Sequence, residues 1–241
     1  GTHGKTSTTA LIAHIFHHNN IDVSYIFGGS TSFHGIGGHY GKKDLPIILE
    51  VDEAYNTFKD IKIDDLLVTN IDEDHLDYFG TFENLTNAFK KVILNVKNNL
   101  VLNYDDQNIN NLMIEIEHTR YSSEAGAEYK INYPDKIMNS GKEYKIVSNL
   151  IGSHFVSNIT GAIAIASLNG IEIEESIDAI KSFPGVNRRT EYLGSVNGVK
   201  LYDDYGHHPT EINATITALK QITKGKLYVI FQPHRYTRTN E

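Results

Sequence analysis

Apolar and polar positions alternate along this chain in blocks of two periods, and the blocks come in a repeating order. Residues 9–16, Thr-Ala-Leu-Ile-Ala-His-Ile-Phe, form an apolar block behind a Gly-Lys-Thr turn and predict a helix; residues 21–27 then read as a strand. A glycine-rich stretch, 28–41, reads as a surface loop. The run Pro46-Ile47-Ile48-Leu49 ends in Glu50-Val51-Asp52-Glu53 and predicts a parallel strand buried on both faces, with carboxylates at its downstream end. Residues 66–70 repeat that layout. From Thr81 onward, Phe82, Leu85, Phe89, Val92 and Val96 keep helical spacing and predict a core-facing helix.

Farther on, residues 100–104 predict a short strand and 105–116 a helix. Residues 119–149 read as several short strands, turning at Gly126, Pro134-Asp135 and Ser140-Gly141. Helices follow over 154–169, closed by Asn169-Gly170, and over 172–183. Phe183-Pro184-Gly185 breaks the pattern, after which strands are expected at 191–196 and 199–204. A helix opens on Pro209 with Ile212, Ile216, Leu219 and Ile222 as its buried stripe, and a final strand covers 226–231. This order predicts an α/β protein: a P-loop-type, mostly parallel sheet flanked by helices over residues 1–187, then the beginning of a second, Rossmann-like α/β domain over 188–241.

Composition narrows the picture. The 241 residues carry a formal charge of −8, which argues against a nucleic-acid partner, and hold no cysteine, which excludes disulfides and thiolate metal sites. No run of 18 apolar residues and no signal-peptide pattern occurs, so a cytoplasmic location is expected.

The candidate chemistry begins at residue 1. Gly4-Lys5-Thr6 is the end of the pattern G-x-x-x-x-G-K-[ST], in which backbone N–H groups and a helix N-terminus face phosphate oxygens. Gly1, Thr2, His3, Gly4, Lys5, Thr6 and Ser7 are therefore candidate nucleotide-phosphate contacts, Lys5 at the β/γ-phosphates and Thr6 also on Mg²⁺. The first glycine of the long pattern and the strand feeding it would precede Gly1, so the chain is expected to be a fragment. Glu50, at a strand end, is a candidate metal ligand, or else a helix N-cap or a solvated carboxylate. Asp72, Glu73, Asp74, His75 and Asp77 could help hold Mg²⁺ or form a solvated acidic loop. Arg188 and Arg189 are a phosphate clamp or ordinary surface arginines.

Taken together, these stretches resemble the Mur ligase family of ATP-dependent amide-forming enzymes of bacterial wall synthesis. The matching segments are Gly1-Thr2-His3-Gly4-Lys5-Thr6, Glu50-Val51-Asp52-Glu53, Thr69-Asn70-Ile71 with Asp74-His75-Leu76-Asp77, Arg188-Arg189-x-Glu191, Asp203 through Glu211, and Phe231 through Thr239. The resemblance implies ATP and Mg²⁺ as cofactors, with Thr6, Glu50 and His75 as metal ligands. Arg189 would contact phosphate, Asp204 the ribose, and His154 and Asn158 the adenosine. His207, Arg235 and Arg238 would surround an incoming amino acid. UDP-N-acetylmuramate and L-alanine are the substrates so implied, through an acyl phosphate. A tripeptide as amine acceptor, or a P-loop module that hydrolyses ATP without ligation, are the alternatives. Phe155 stands where the family usually has Asn, and Phe89, with Lys90 beside it, where several sister enzymes carry a carbamylated lysine.

Overall fold

The computed structural model describes residues 1–31 and 37–233. The opening block is a helix, α1 (Lys5–His18), entered through Gly4 at φ 78°. It leads into β1 (Ser24–Ile26), which pairs antiparallel with β2 (Gly38–His39) and parallel with β3 (Ile47–Leu49). A second sheet starts at β4 (Leu66–Val68). The short α2 (Leu76–Phe79) and α3 (Phe82–Ile93) then carry the chain to β5 (Leu100–Asn103), and α4 (Gln107–Asn111) carries it to β6 (Thr119–Ser122). β7 (Tyr129–Asn132) completes the parallel part; β8 (Lys136–Asn139) and β9 (Lys142–Lys145) return antiparallel, giving the spatial order β4-β5-β6-β7-β8-β9. The helical crossovers make the first strands parallel, whereas the tight turns after Asn132 and Asn139 permit only antiparallel return.

Helices α5 (Ser153–Leu168) and α6 (Ile173–Ser182) pack with α1 on one face of this sheet, while α3 and α4 cover the other. β5 is buried at all four positions because the strand alternation serves both layers. Val101 joins Leu11, Tyr121, Ile159 and Ile163, whereas Leu100 and Leu102 join Leu85, Phe89 and Ile93. Close approach of α5 to the sheet depends on Gly161, where a Cβ would stand 3.0 Å from the Tyr121 ring. Beyond α6 come the hairpin β10 (Glu191–Val196) and β11 (Val199–Asp203) and then α7 (Pro209–Ile222), capped by the His208 side chain.

Several expectations are corrected. The glycine-rich stretch contains β2, because its backbone has the free edge of β1 to pair with. The run at 46–53 is not buried on both faces: Ile47 is 67% and Leu49 40% exposed, facing a cavity of about 600 Å³ that separates β3 from β4. Residues 54–60 form a 3-10 segment (Ala54–Asp60), and the helix expected over 105–116 shrinks to the five residues of α4. On α7 the buried position is Ala218; Ile212, Ile216 and Leu219 are half-buried and Ile222 is exposed. Residues 226–231 are not a strand, since no described strand lies beside them, and Ile230 is 99% exposed.

Candidate functional site

The phosphate-loop residues sit at the downstream ends of β3 and β4, and local contacts dictate their shape. Gly1 packs on Thr69 and Asn70 so closely that a Cβ would collide with both. Asn70 accepts from the His3 N–H at 2.7 Å through Oδ1 and donates to the His3 carbonyl at 3.0 Å through Nδ2; the Thr69 hydroxyl donates to that same carbonyl at 2.7 Å. Thr2 donates its N–H to the Asn70 carbonyl at 3.1 Å, and its hydroxyl accepts from Asp72 N–H at 3.0 Å. Gly4 takes the left-handed conformation over Asn158, whose Oδ1 would lie 2.7 Å from any Cβ there. Thr6, Ser7, Thr8 and Thr9 are buried in the first turns of α1, with Lys5 at its start.

Lys5 and Thr6 meet the carboxylates that follow β3. Lys5 Nζ donates to Glu53 Oε2 at 3.0 Å and to the Thr2 carbonyl at 3.0 Å, with Asp52 Oδ1 at 3.4 Å. Burial depresses the Lys5 ammonium, but Glu53 and Asp52 outweigh it and hold its pKa above the usual lysine value. The Thr6 hydroxyl donates to Glu50 Oε1 at 2.9 Å, and Glu50 Oε2 accepts from Gly28 N–H at 2.5 Å. Glu50 is therefore neither a helix cap nor a solvated acid. His75, at φ 56°, places Nε2 3.9 Å from Asp52 Oδ1 and 3.7 Å from Asp74 Oδ2. Asp52, Glu53 and His75 bring donor atoms within 4.8 Å of one another.

Oxygen donors at Thr6, Glu50 and Glu53 suit a hard divalent cation. Glu53 is fully buried, and its Oε1 has no hydrogen-bond partner among the described residues, so the site retains an unmet demand for a cation or donor. Glu53 and Asp52 were missed in the sequence: three acids crowd one strand end, and which of them turns inward is decided by Lys5.

A second opening, about 370 Å³, adjoins the loop and is lined by His3, Ser7, His154, Asn158, Arg189 and Asp204 together with Phe155. The expected phosphate, ribose and adenosine contacts thus share one cavity. Burial depresses His154, against the pull of Asp204, so its ring is held neutral. Asp204 anchors the cavity wall, its Oδ2 accepting from Thr190 N–H at 2.7 Å and its Oδ1 from Gly206 N–H at 2.7 Å. Phe155 is buried against His154, ring centroids 4.4 Å apart. Phe89 lies in the core against Phe58, and Lys90 donates to the Leu112 carbonyl at 2.8 Å.

The acidic run at 72–77 divides. Glu73 and Asp77 face solvent, whereas Asp72 and His75 turn inward. Asp72 Oδ2 bridges His3 Nε2 at 3.0 Å and the Thr210 hydroxyl at 2.7 Å; Glu211 Oε1 meets His3 Nδ1 at 3.3 Å and Arg189 Nη1 at 3.9 Å. Burial opposes ionisation of Glu211, yet His3 and Arg189 push its carboxyl down to about 2, and Glu211 and Asp72 raise His3 against its burial. Glu211, in the first turn of α7, ties that helix to the phosphate loop. His207 hydrogen-bonds the Tyr205 carbonyl through Nδ1 at 3.1 Å, on the loop before α7. Arg188 extends away to Asp203, Nε to Oδ2 3.1 Å, leaving Arg189 as the arginine of the cavity. Arg235 and Arg238 lie outside the described residues.

Comparison with known proteins follows the same lines. The family model described as Mur ligase middle domain matches residues 1–166, and the model described as Mur ligase, glutamate ligase domain matches residues 188–240. A UDP-N-acetylmuramate–L-alanine ligase of Brucella anthropi is 37% identical over 257 residues, covering 99% of this chain and 55% of the relative. Its counterpart from Caldicellulosiruptor bescii is 35% identical over 255 residues, covering 99% and 55%. The solved UDP-N-acetylmuramate–alanine ligase of Thermotoga maritima superposes with a TM-score of 0.83 at 27% identity, covering 98% of this chain and 56% of that one. A murein peptide ligase of Psychrobacter arcticus shares the fold at TM-score 0.69 and 22% identity, covering 92% and 54%. The chain spans about half the length of the curated relatives it matches.

Proposed function

Because the chain belongs to the Mur ligase family, on the middle-domain match over residues 1–166, we propose that it carries the ATP site of an ATP-dependent ligase joining L-alanine to UDP-N-acetylmuramate in the cytoplasm. The observation that carries this reading is the pairing of Lys5 with Glu53 and of Thr6 with Glu50 at the phosphate loop, with His75 grouped with Asp52 and Glu53, beside the cavity of His154, Asn158, Arg189 and Asp204. The L-alanine assignment rests on the relatives, which are alanine ligases over nearly the whole of this chain.

A carboxylate does not acylate an amine at neutral pH, because oxide is too poor a leaving group. The γ-phosphoryl of ATP is first transferred to the muramoyl carboxylate, and phosphate then departs as the amine attacks. Lys5 pairs with the developing phosphoryl charge, and the backbone N–H groups from Gly4 to Ser7 hold the phosphate chain at the start of α1. Thr6, Glu50 and His75, with Glu53 close to His75, would hold Mg²⁺, which would supply positive charge to offset that of the phosphates. His154 and Asn158 border the adenosine, Asp204 the ribose, and Arg189 the phosphates. Arg235 and Arg238 would pair with the alanine carboxylate, and His207 would orient the amine or accept its proton.

We assign residues 1–187 to the central domain and 188–241 to the opening of the amino-acid domain, a division supported by the two family matches on either side of residue 187.

The test is Lys5→Ala in the full-length ligase, assayed for L-alanine ligation against the tripeptide as competing acceptor. Loss of a group that stabilises transition-state charge lowers turnover by about 10²–10³. Unaltered alanine ligation by the variant would overturn the assignment.

A further inference from the structure

At the end of α1 remote from the phosphate loop, three side chains from three elements converge: His17 on the last turn of α1, Asp22 on the loop into β1, and His39 on β2. His17 is twelve positions past Lys5, which is about 18 Å along the helix axis, so this cluster has no part in nucleotide binding. Their donor atoms lie within 4.8 Å of one another, and His39 Nε2 already stands 2.8 Å from Asp22 Oδ1. Tetrahedral ligands at ordinary zinc distances stand about 3.4 Å apart, so the widest separation in the set has to close by no more than about 1.4 Å.

The surroundings orient these rings as ligating histidines are oriented. His17 Nε2 donates to the Val23 carbonyl at 2.9 Å; a backbone carbonyl holding one ring nitrogen is the usual outer support of a metal-bound imidazole. Tyr25, fully buried and paired with His39 across the β1–β2 ladder, stacks on the His39 ring at 5.5 Å and meets the His17 ring edge-on at 5.5 Å. The two imidazoles stand 5.0 Å apart. Lys42 N–H holds the Asp22 carbonyl at 2.8 Å, fixing the loop that presents the carboxylate. All three residues are half-buried and open to solution.

We propose that His17, Asp22 and His39 form a binding site for a borderline transition-metal ion of the Zn²⁺, Co²⁺ or Ni²⁺ class, completed by water. Two imidazoles and one carboxylate favour such ions over Mg²⁺, which takes oxygen ligands and belongs to the phosphate loop. The bound ion clasps the end of α1 to the short β2, whose pairing with β1 rests on two residues. Its role is structural, and it rests on none of the catalytic assignments above.

The experiment is a Zn²⁺ titration of the 241-residue chain, read by histidine ring NMR resonances and by competition with a chromophoric chelator. The first equivalent is expected to shift the His17 and His39 signals. Affinity should fall at least about tenfold in His39→Gln and in Asp22→Asn, as loss of even outer partners does, while His118→Gln leaves it unchanged. Asp22→Asn is isosteric and half-buried at the surface, so circular dichroism should show the parent fold; the Zn²⁺-induced rise in melting temperature should be lost with it. Millimolar Mg²⁺ should not displace the ion. First-equivalent shifts at His3, His208 or His75 instead, or parent affinity in both variants, would overturn the proposal.

Discussion

The pair formed by Lys5 and Glu53 sets the electrostatics of the phosphate loop, and a double-mutant cycle on it tests that statement quantitatively. Glu53 is 0% exposed and the Lys5 side chain 17% exposed, with Nζ and Oε2 3.0 Å apart. At an effective dielectric near 20, two unit charges at that separation attract by roughly 5 kcal/mol before desolvation is subtracted. Removing one partner of a buried pair costs about 3–5 kcal/mol, because the other charge is left stranded. The two single variants should differ. Glu53→Gln leaves Lys5 with Asp52 Oδ1 at 3.4 Å and the Thr2 carbonyl at 3.0 Å, so its loss should sit below that range, at about 2 kcal/mol. Lys5→Met strands a fully buried carboxylate whose Oε1 already lacks a partner, so its loss should reach about 3 kcal/mol or more. The double variant should then lose little more than Lys5→Met alone, giving a coupling of about 1.5–2 kcal/mol. For a chain of this size each kcal/mol moves the melting temperature by about 2–4 °C, so urea and thermal unfolding at neutral pH resolve all three variants. Losses that add to within about 0.5 kcal/mol would refute the claim that Glu53 is buried on account of Lys5.

Asn70→Ala removes both bonds to the His3 backbone, at 2.7 and 3.0 Å; a stability loss of about 1–3 kcal/mol and weaker binding of a fluorescent ATP analogue are expected, and unchanged nucleotide affinity would contradict its role as the splint of the loop. Gly4→Ala should be worse for the nucleotide than for the fold, because φ 78° and the Asn158 contact at 2.7 Å both oppose a methyl group; about 1–3 kcal/mol of strain should appear as lost affinity in calorimetry. The Glu211 carboxyl, held down at about 2 from an ordinary 4.5, contributes stability that is present above pH 4.5 and lost as pH falls towards 2. Acid unfolding of Glu211→Gln should therefore show a flatter limb in that window. His3 carries the opposite sign: its raised pKa contributes stability fully present below its unfolded value and lost as pH climbs through the folded one, so His3→Gln should lower stability at pH 6 more than at pH 9.

Much of this protein was legible along the chain. Gly4-Lys5-Thr6 ahead of an apolar helix, the apolar strand runs ending in carboxylates, and the helix signals at Thr81 and Pro209 are local patterns, read from residues only a few positions apart. They were enough for an α/β class, for the place of the phosphate loop, and for Glu50 as its acidic neighbour. What they could not decide is which member of a cluster turns inward. Glu53 is buried and Glu73 exposed because Lys5, 48 positions from Glu53, needs a counter-charge, and no such need exists beside Glu73. The bridge of Glu211 to His3 spans 208 positions, and the pairing of β2 with β1 needed the free edge of β1 in space. The same limit applies to 226–231, where β-forming residues without a neighbouring strand stay unpaired. Propensity and periodicity act over a turn of helix or a pair of residues, so the sequence sets the elements and their apolar faces. Charge pairing, edge pairing and the metal-ready clusters arise only between segments that packing has already brought together, and for that reason they belong to the tertiary structure alone.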